Sequence, residues 1–134
     1  DVDKASNDGV TALIEASGQG HATIVDVLIQ AGADVDKADN NGVTAMIAAS
    51  HQGHDAIVKA LILAGADADK ATNDGHTALL VASQKGHAAI VEALLQAGAD
   101  VDKATNNGGT ALMIASLTGH TAIVKAMKKA GAKK

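Results

Sequence analysis

Apolar and polar positions recur along this chain with two periods. The short period predicts helices. Ile57, Val58, Leu61 and Ile62 fall at i, i+1, i+4 and i+5, a broad apolar stripe on a helix of about Asp55 to Ala64. Upstream, Thr44 stands before "AMIAAS", where its hydroxyl can accept from the free N–H groups opening a helix of about Ala45 to Gln52. Gly53 is placed to stop that helix by adopting left-handed backbone, and Gly65 to end the second. The long period is 33 residues. Thr11, Thr44, Thr77 and Thr110 each head an apolar run, Gly20, Gly53, Gly86 and Gly119 each precede a histidine, and "IV" follows at Ile24, Ile57, Ile90 and Ile123. Self-similarity at such a period marks a repeat architecture.

Two helices of about two turns each cannot bury their stripes alone. Stacked copies can, so the core is expected to run continuously from unit to unit. The expected fold is an all-α repeat solenoid, one domain over residues 1–134 with units 1–33, 34–66, 67–99 and 100–134. Alanine at Ala45, Ala49, Ala60 and Ala64 would form the contact columns, letting helices approach near the lower limit of about 8 Å. This accounts for a core in a chain that has no Phe, Tyr or Trp and no proline.

The loop between units raises a chemical alternative. "DVDKADNNGVT", from Asp34, alternates acids ahead of a glycine, as a calcium loop does. An EF-hand loop needs glycine sixth and glutamate twelfth. Counted from Asp34 those positions are Asp39 and Ala45; counted from Asp36 they are Asn41 and Ile47. Both registers fail twice. The stretch reads instead as a hairpin-like turn at "DNNG", since Asn and Asp bond their own backbone and glycine accepts positive φ, with the remaining acids solvated.

Composition narrows the function. No cysteine excludes disulfides and thiolate zinc sites. All 11 basic residues are lysine, and 15 acids bring the formal charge to -4, which argues against a nucleic-acid or anionic-membrane surface. No apolar run approaches the ~20 residues of a membrane span, and no signal peptide is visible, so the compartment is unreadable. A start at Asp1 without methionine suggests a fragment, a trimmed product or an engineered chain.

"NNGVTAMIAASHQGHDAIVKALILAGADADK" resembles the ankyrin repeat, and the resemblance spans the chain as four units. It implies ankyrin-type helix-turn-helix units and a protein-binding module without catalysis. The family's proline and histidine after the threonine are replaced here, the first by Ala12, Ala45, Ala78 and Ala111, the second by Ile14, Ile47, Leu80 and Met113. Threonine capping therefore lacks its reciprocal partner, and apolar packing is expected to compensate. In this family the varying columns line the concave face. Here those are Val10, Val43, His76 and Gly109 at the loop tips, Glu15, Ala48, Val81 and Ile114 on the first helix, and His51, Gln84 and Leu117 in the column headed by Gly18. That face lacks Tyr, Trp and Arg, the usual hot-spot residues.

Other chemistry is weaker. Ser17, Ser50, Ser83 and Ser116 each lie four before a histidine, but a nucleophile and base repeated four times, without an orienting acid or oxyanion hole, reads as structure. The histidines recur one unit apart, too far to share a zinc ion, and Gly53 breaks the helix between His51 and His54. No catalytic residue, metal or cofactor is expected. At the ends, Lys128 and Lys129 with the rest of "KKAGAKK" should blunt the C-terminus, whereas Leu13, Val25 and Leu28 should leave an apolar N-terminal edge open to weak self-association. Two functions remain open: a protein-binding module with an unidentified partner, or an engineered scaffold with no natural partner.

Overall fold

The computed structural model describes residues 1–132. Among them are eight helices in four antiparallel pairs: α1 (Ala12–Gln19) with α2 (Ala22–Gln30), α3 (Ala45–Gln52) with α4 (Asp55–Leu63), α5 (Ala78–Lys85) with α6 (Ala88–Gln96), and α7 (Ala111–Thr118) with α8 (Thr121–Lys129). The first helices stack on one another in chain order, and the second helices form a parallel layer behind them. One apolar cluster runs through the whole stack, from Leu13 and Val25 to Ile123 and Met127. This is the all-α repeat solenoid that the two periods predict.

Each first helix begins at its threonine. The hydroxyls of Thr11, Thr44, Thr77 and Thr110 accept from the N–H three residues on, at 3.2–3.3 Å. These caps form without the family's histidine. In its place Ile14, Ile47 and Leu80 are buried, so the threonine turn is held by apolar packing from below. Each first helix stops at a glycine with φ between 77° and 84°. The second helix of the second unit ends at Leu63, one residue before the expected end, as the Gly65 N–H bonds the Ile62 carbonyl and the Ala66 N–H bonds the Leu61 carbonyl.

Small residues set the helix spacing, though not all those expected. Ala49, Ala82 and Ala115 are fully enclosed, and Ala45, Ala78 and Ala111 nearly so. Ala60 is half-buried, but Ala64 is exposed beyond the end of α4 and belongs to no contact column.

The loops correct a second expectation. The "DNNG" turn forms as read: the Gly42 N–H bonds the Asp39 carbonyl, and the Asp39 carboxylate accepts from Asn41 and Val43. The other acids are not simply solvated. Asp3, Asp36 and Asp69 each accept, through Oδ1, the backbone N–H of Asp34, Asp67 and Asp100 in the next unit, at 2.8 Å. Lys37, Lys70 and Lys103 return a bond from Nζ to the carbonyls of Asp3, Asp36 and Asp69. At the tips, the Asn40, Asn73 and Asn106 amides donate to the carbonyls of Asn7, Asn40 and Asn73. The repeated "D-x-D-K" and asparagine are thus rungs of a hydrogen-bond ladder joining neighbouring units. A single unit carries only half of each rung, so no one-unit reading reveals it.

The ends depart further. Leu13 and Val25 do not form an apolar edge; both are buried between α1 and α2 and the second unit, and Leu28 is half-buried. The large apolar side chains exposed in the first unit are Ile24, at 49 %, and Val27, at 59 %. At the other end Lys128 and Lys129 are exposed on α8, but α7 leaves Met113 at 44 % and Leu117 at 87 % exposure, so the lysines blunt only part of that face. Lys133 and Lys134, the end of the expected lysine cap, lie outside the described residues.

Candidate functional site

Because every first helix is short and every loop tip projects beyond it, the stack has a side walled by helices and floored by turns. There a groove of about 540 Å³ opens across the first three units. Ala48, His51 and Gln52 of α3 and Val81 and Gln84 of α5 line its helical wall, with Gly18 of α1 at one margin. The tips contribute Asn41 and Val43 from one loop and Thr72, Asp74 and His76 from the next. The tips are rigid. The Asp39 side chain holds the Val43 N–H, the Thr72 hydroxyl holds the His76 N–H, and Asn73 ties the two loops by bonding Asn40 and Asn41 carbonyls. Asp74 is the one carboxylate among the lining residues and no lysine joins it, so the groove is mildly acidic and otherwise neutral.

Six residues singled out from their varying columns meet here: Val43, Ala48, His51, His76, Val81 and Gln84. Val81 is 7 % exposed, so it is a wall rather than a free contact side chain. The remaining five lie elsewhere. Val10 and Gly109 are half-buried at the tips of the first and last loops, outside the groove lining. Glu15 is exposed on α1, where it accepts from the Gln19 amide. Ile114 packs against the core from α7. Leu117 stands at the C-terminal end and lines a different hollow, with Leu112, Met113, Ser116 and Lys128. Asn41, Thr72 and Asp74 were missed because they sit in turn positions that look purely conformational. Ile47 was missed because its column is core. The varying neighbours Val43 and His76 were the signal that their turns face the same space.

The serines and histidines do not pair. His54 Nε2 bonds the Gly18 carbonyl at 3.2 Å, His87 Nε2 the His51 carbonyl at 3.3 Å, and His120 Nδ1 the Ser83 carbonyl at 3.0 Å. Each imidazole thus caps the C-terminal end of the first helix in the preceding unit, where carbonyls lack helical partners. It sits over that unit's glycine so closely that a methyl group on Gly20, Gly53 or Gly86 would fall 2.6–2.8 Å from the ring. Ser17 and Ser50 are buried with no partner on Oγ, and Ser83 donates to the Leu79 carbonyl in its own helix. Among the described residues no three His, Asp or Glu side chains come together as a metal cluster.

The family model described as ankyrin repeats (3 copies) matches residues 1–71 and 45–134, which together cover the chain. The chain belongs to the ankyrin repeat family. Ankyrin repeats are in general non-catalytic modules of protein–protein interaction. No curated protein matches this sequence. Among the described residues no helix is long and apolar enough to cross a membrane.

Proposed function

We propose that this ankyrin chain, acting as one domain of the four units 1–33, 34–66, 67–99 and 100–134, binds another protein in the groove between its loop tips and first helices, without chemistry. The observation that carries the reading is convergence: six of the eleven varying positions come together in one groove whose loop tips are tied to one another by the ladder. Rigid placement matters because a preorganised surface loses little conformational freedom on binding. The lining is apolar walls with a few amide, hydroxyl and imidazole groups, suited to an extended segment or helix that is not itself acidic. A second reading, an engineered scaffold with no natural partner, draws on the lack of Tyr, Trp and Arg in that lining.

Immobilised wild-type chain would be compared as bait with Val43→Glu, which places a charge in the groove, and with Leu63→Glu, a control at a position 89 % exposed on the opposite layer. Proteins retained by wild type and the control but lost with Val43→Glu, then confirmed by titration with the purified partner, support the groove. Binding that survives Val43→Glu, or disappears equally with Leu63→Glu, overturns it. No retained protein from any source favours the scaffold.

A further inference from the structure

We infer that, in a chain of these 134 residues, the N-terminal face of the first unit is the docking partner of the C-terminal face of the fourth, so that copies join head to tail. The internal junctions state what each face accepts. Ile57, Ile90 and Ile123 are 0–2 % exposed because each is covered by the unit before it; Ile24, the same residue in the first unit, is 49 % exposed. Ile14, Ile47 and Leu80 are 1–6 % exposed because each is covered by the unit after it; Met113, in the same column, is 44 % exposed. Ser17, Ser50 and Ser83 are likewise fully buried, whereas Ser116, in the same column, is exposed beside Met113 in a hollow of about 490 Å³.

The polar fittings match as well. His54, His87 and His120 occupy the glycine seats of their predecessors, and Asn40, Asn73 and Asn106 occupy the seats above Gly9, Gly42 and Gly75. His21 and Asn7, the corresponding residues of the first unit, are exposed. Above Gly119 and Gly108, the corresponding seats of the fourth unit, nothing among the described residues lies within 4 Å. Charge gives the pairing a direction. Residues 1–33 hold five acids against Lys4, whereas residues 100–134 hold two acids against six lysines. One end is therefore net negative and the other net positive by the same amount, so unlike ends attract and like ends repel. Joining unlike faces is a heterologous contact. A heterologous contact that repeats the internal stacking from copy to copy extends the array, so an open filament is expected.

Sedimentation of the 134-residue chain tests this, at roughly 5 to 500 µM and at roughly 20 and 500 mM salt. The weight-average mass is expected to rise above 13.2 kDa with concentration, without a plateau at two copies, and to fall several-fold in the higher salt. Ile24→Glu blocks the N-terminal face and Met113→Glu the C-terminal face, each by burying an unpaired carboxylate where the internal junctions bury Ile57 and Ile47. Each variant alone should sediment as a monomer, and their equimolar mixture, which retains one intact face of each kind, should stop at a dimer. Circular dichroism confirms that each is folded; Val27→Glu and Ser116→Glu are the second pair at the same faces. A monomeric wild type throughout the range overturns the inference. So does a plateau at two copies, or a mixture of folded variants that stays monomeric.

Discussion

Replacing Gly53 and Gly65 by alanine separates backbone strain from the fit between units. Both glycines have nearly the same left-handed backbone, φ 84° and 86°. An alanine there carries a left-handed penalty of about 1–2 kcal/mol. Around Gly65 nothing lies within 4 Å of the added methyl, so Gly65→Ala should cost only that strain. At Gly53 the methyl would fall 2.8 Å from His87 Cε1, pushing the imidazole off its seat. The His87 bond to the His51 carbonyl is then lost, about 0.5–1.5 kcal/mol, together with the ring's packing. Gly53→Ala should therefore cost roughly 2–4 kcal/mol, clearly more than Gly65→Ala. Urea unfolding followed by circular dichroism gives both values. In a His87→Ala background the difference should vanish, because the ring that collides is gone. If the two glycines cost the same in the wild-type background, or if the difference survives removal of His87, the imidazole seat does not join the units.

Three further outcomes are expected. Ala49→Leu or Ala82→Leu, at fully enclosed positions, should overpack the stack and cost about 1–3 kcal/mol, whereas Ala64→Leu at an exposed site should be close to neutral; similar losses at both would contradict the packing described above. Calcium should leave the thermal midpoint unchanged and give no stoichiometric heat, since Asp36 Oδ1 already accepts the Asp67 N–H and the loop lacks the sixth-position glycine and twelfth-position glutamate; a midpoint that rises with calcium and falls with EDTA would refute that. In peptide-resolved hydrogen exchange on dilute protein, residues 1–33 and 100–132 should exchange faster than 34–99, because each terminal unit is covered on one side only; uniform protection would show that the ends are stabilised by other means.

Local features of this chain were legible from the sequence because they are settled within one unit. The threonine caps, the glycine stops, the helix spans and the "DNNG" turn all depend on residues a few positions apart, and four copies of the pattern reinforce one another. Six of the varying positions line one groove, but variation alone does not mark an open face: Val81 is 7 % exposed and Ile114, in the same column, packs against the core. Tertiary structure decided whatever depends on a neighbour 33 residues away. Ile24 and Ile57 head the same "IV" pair in their units, yet one is half exposed and the other buried, since in the structure only Ile57 packs against a preceding unit. The acids of "D-x-D-K" look solvated until the next unit supplies the N–H they accept, and the "GH" histidine caps the previous unit's helix rather than its own. Burial and hydrogen bonding between units are properties of the stack, so the residues that make them carry no mark of it in their own stretch of chain.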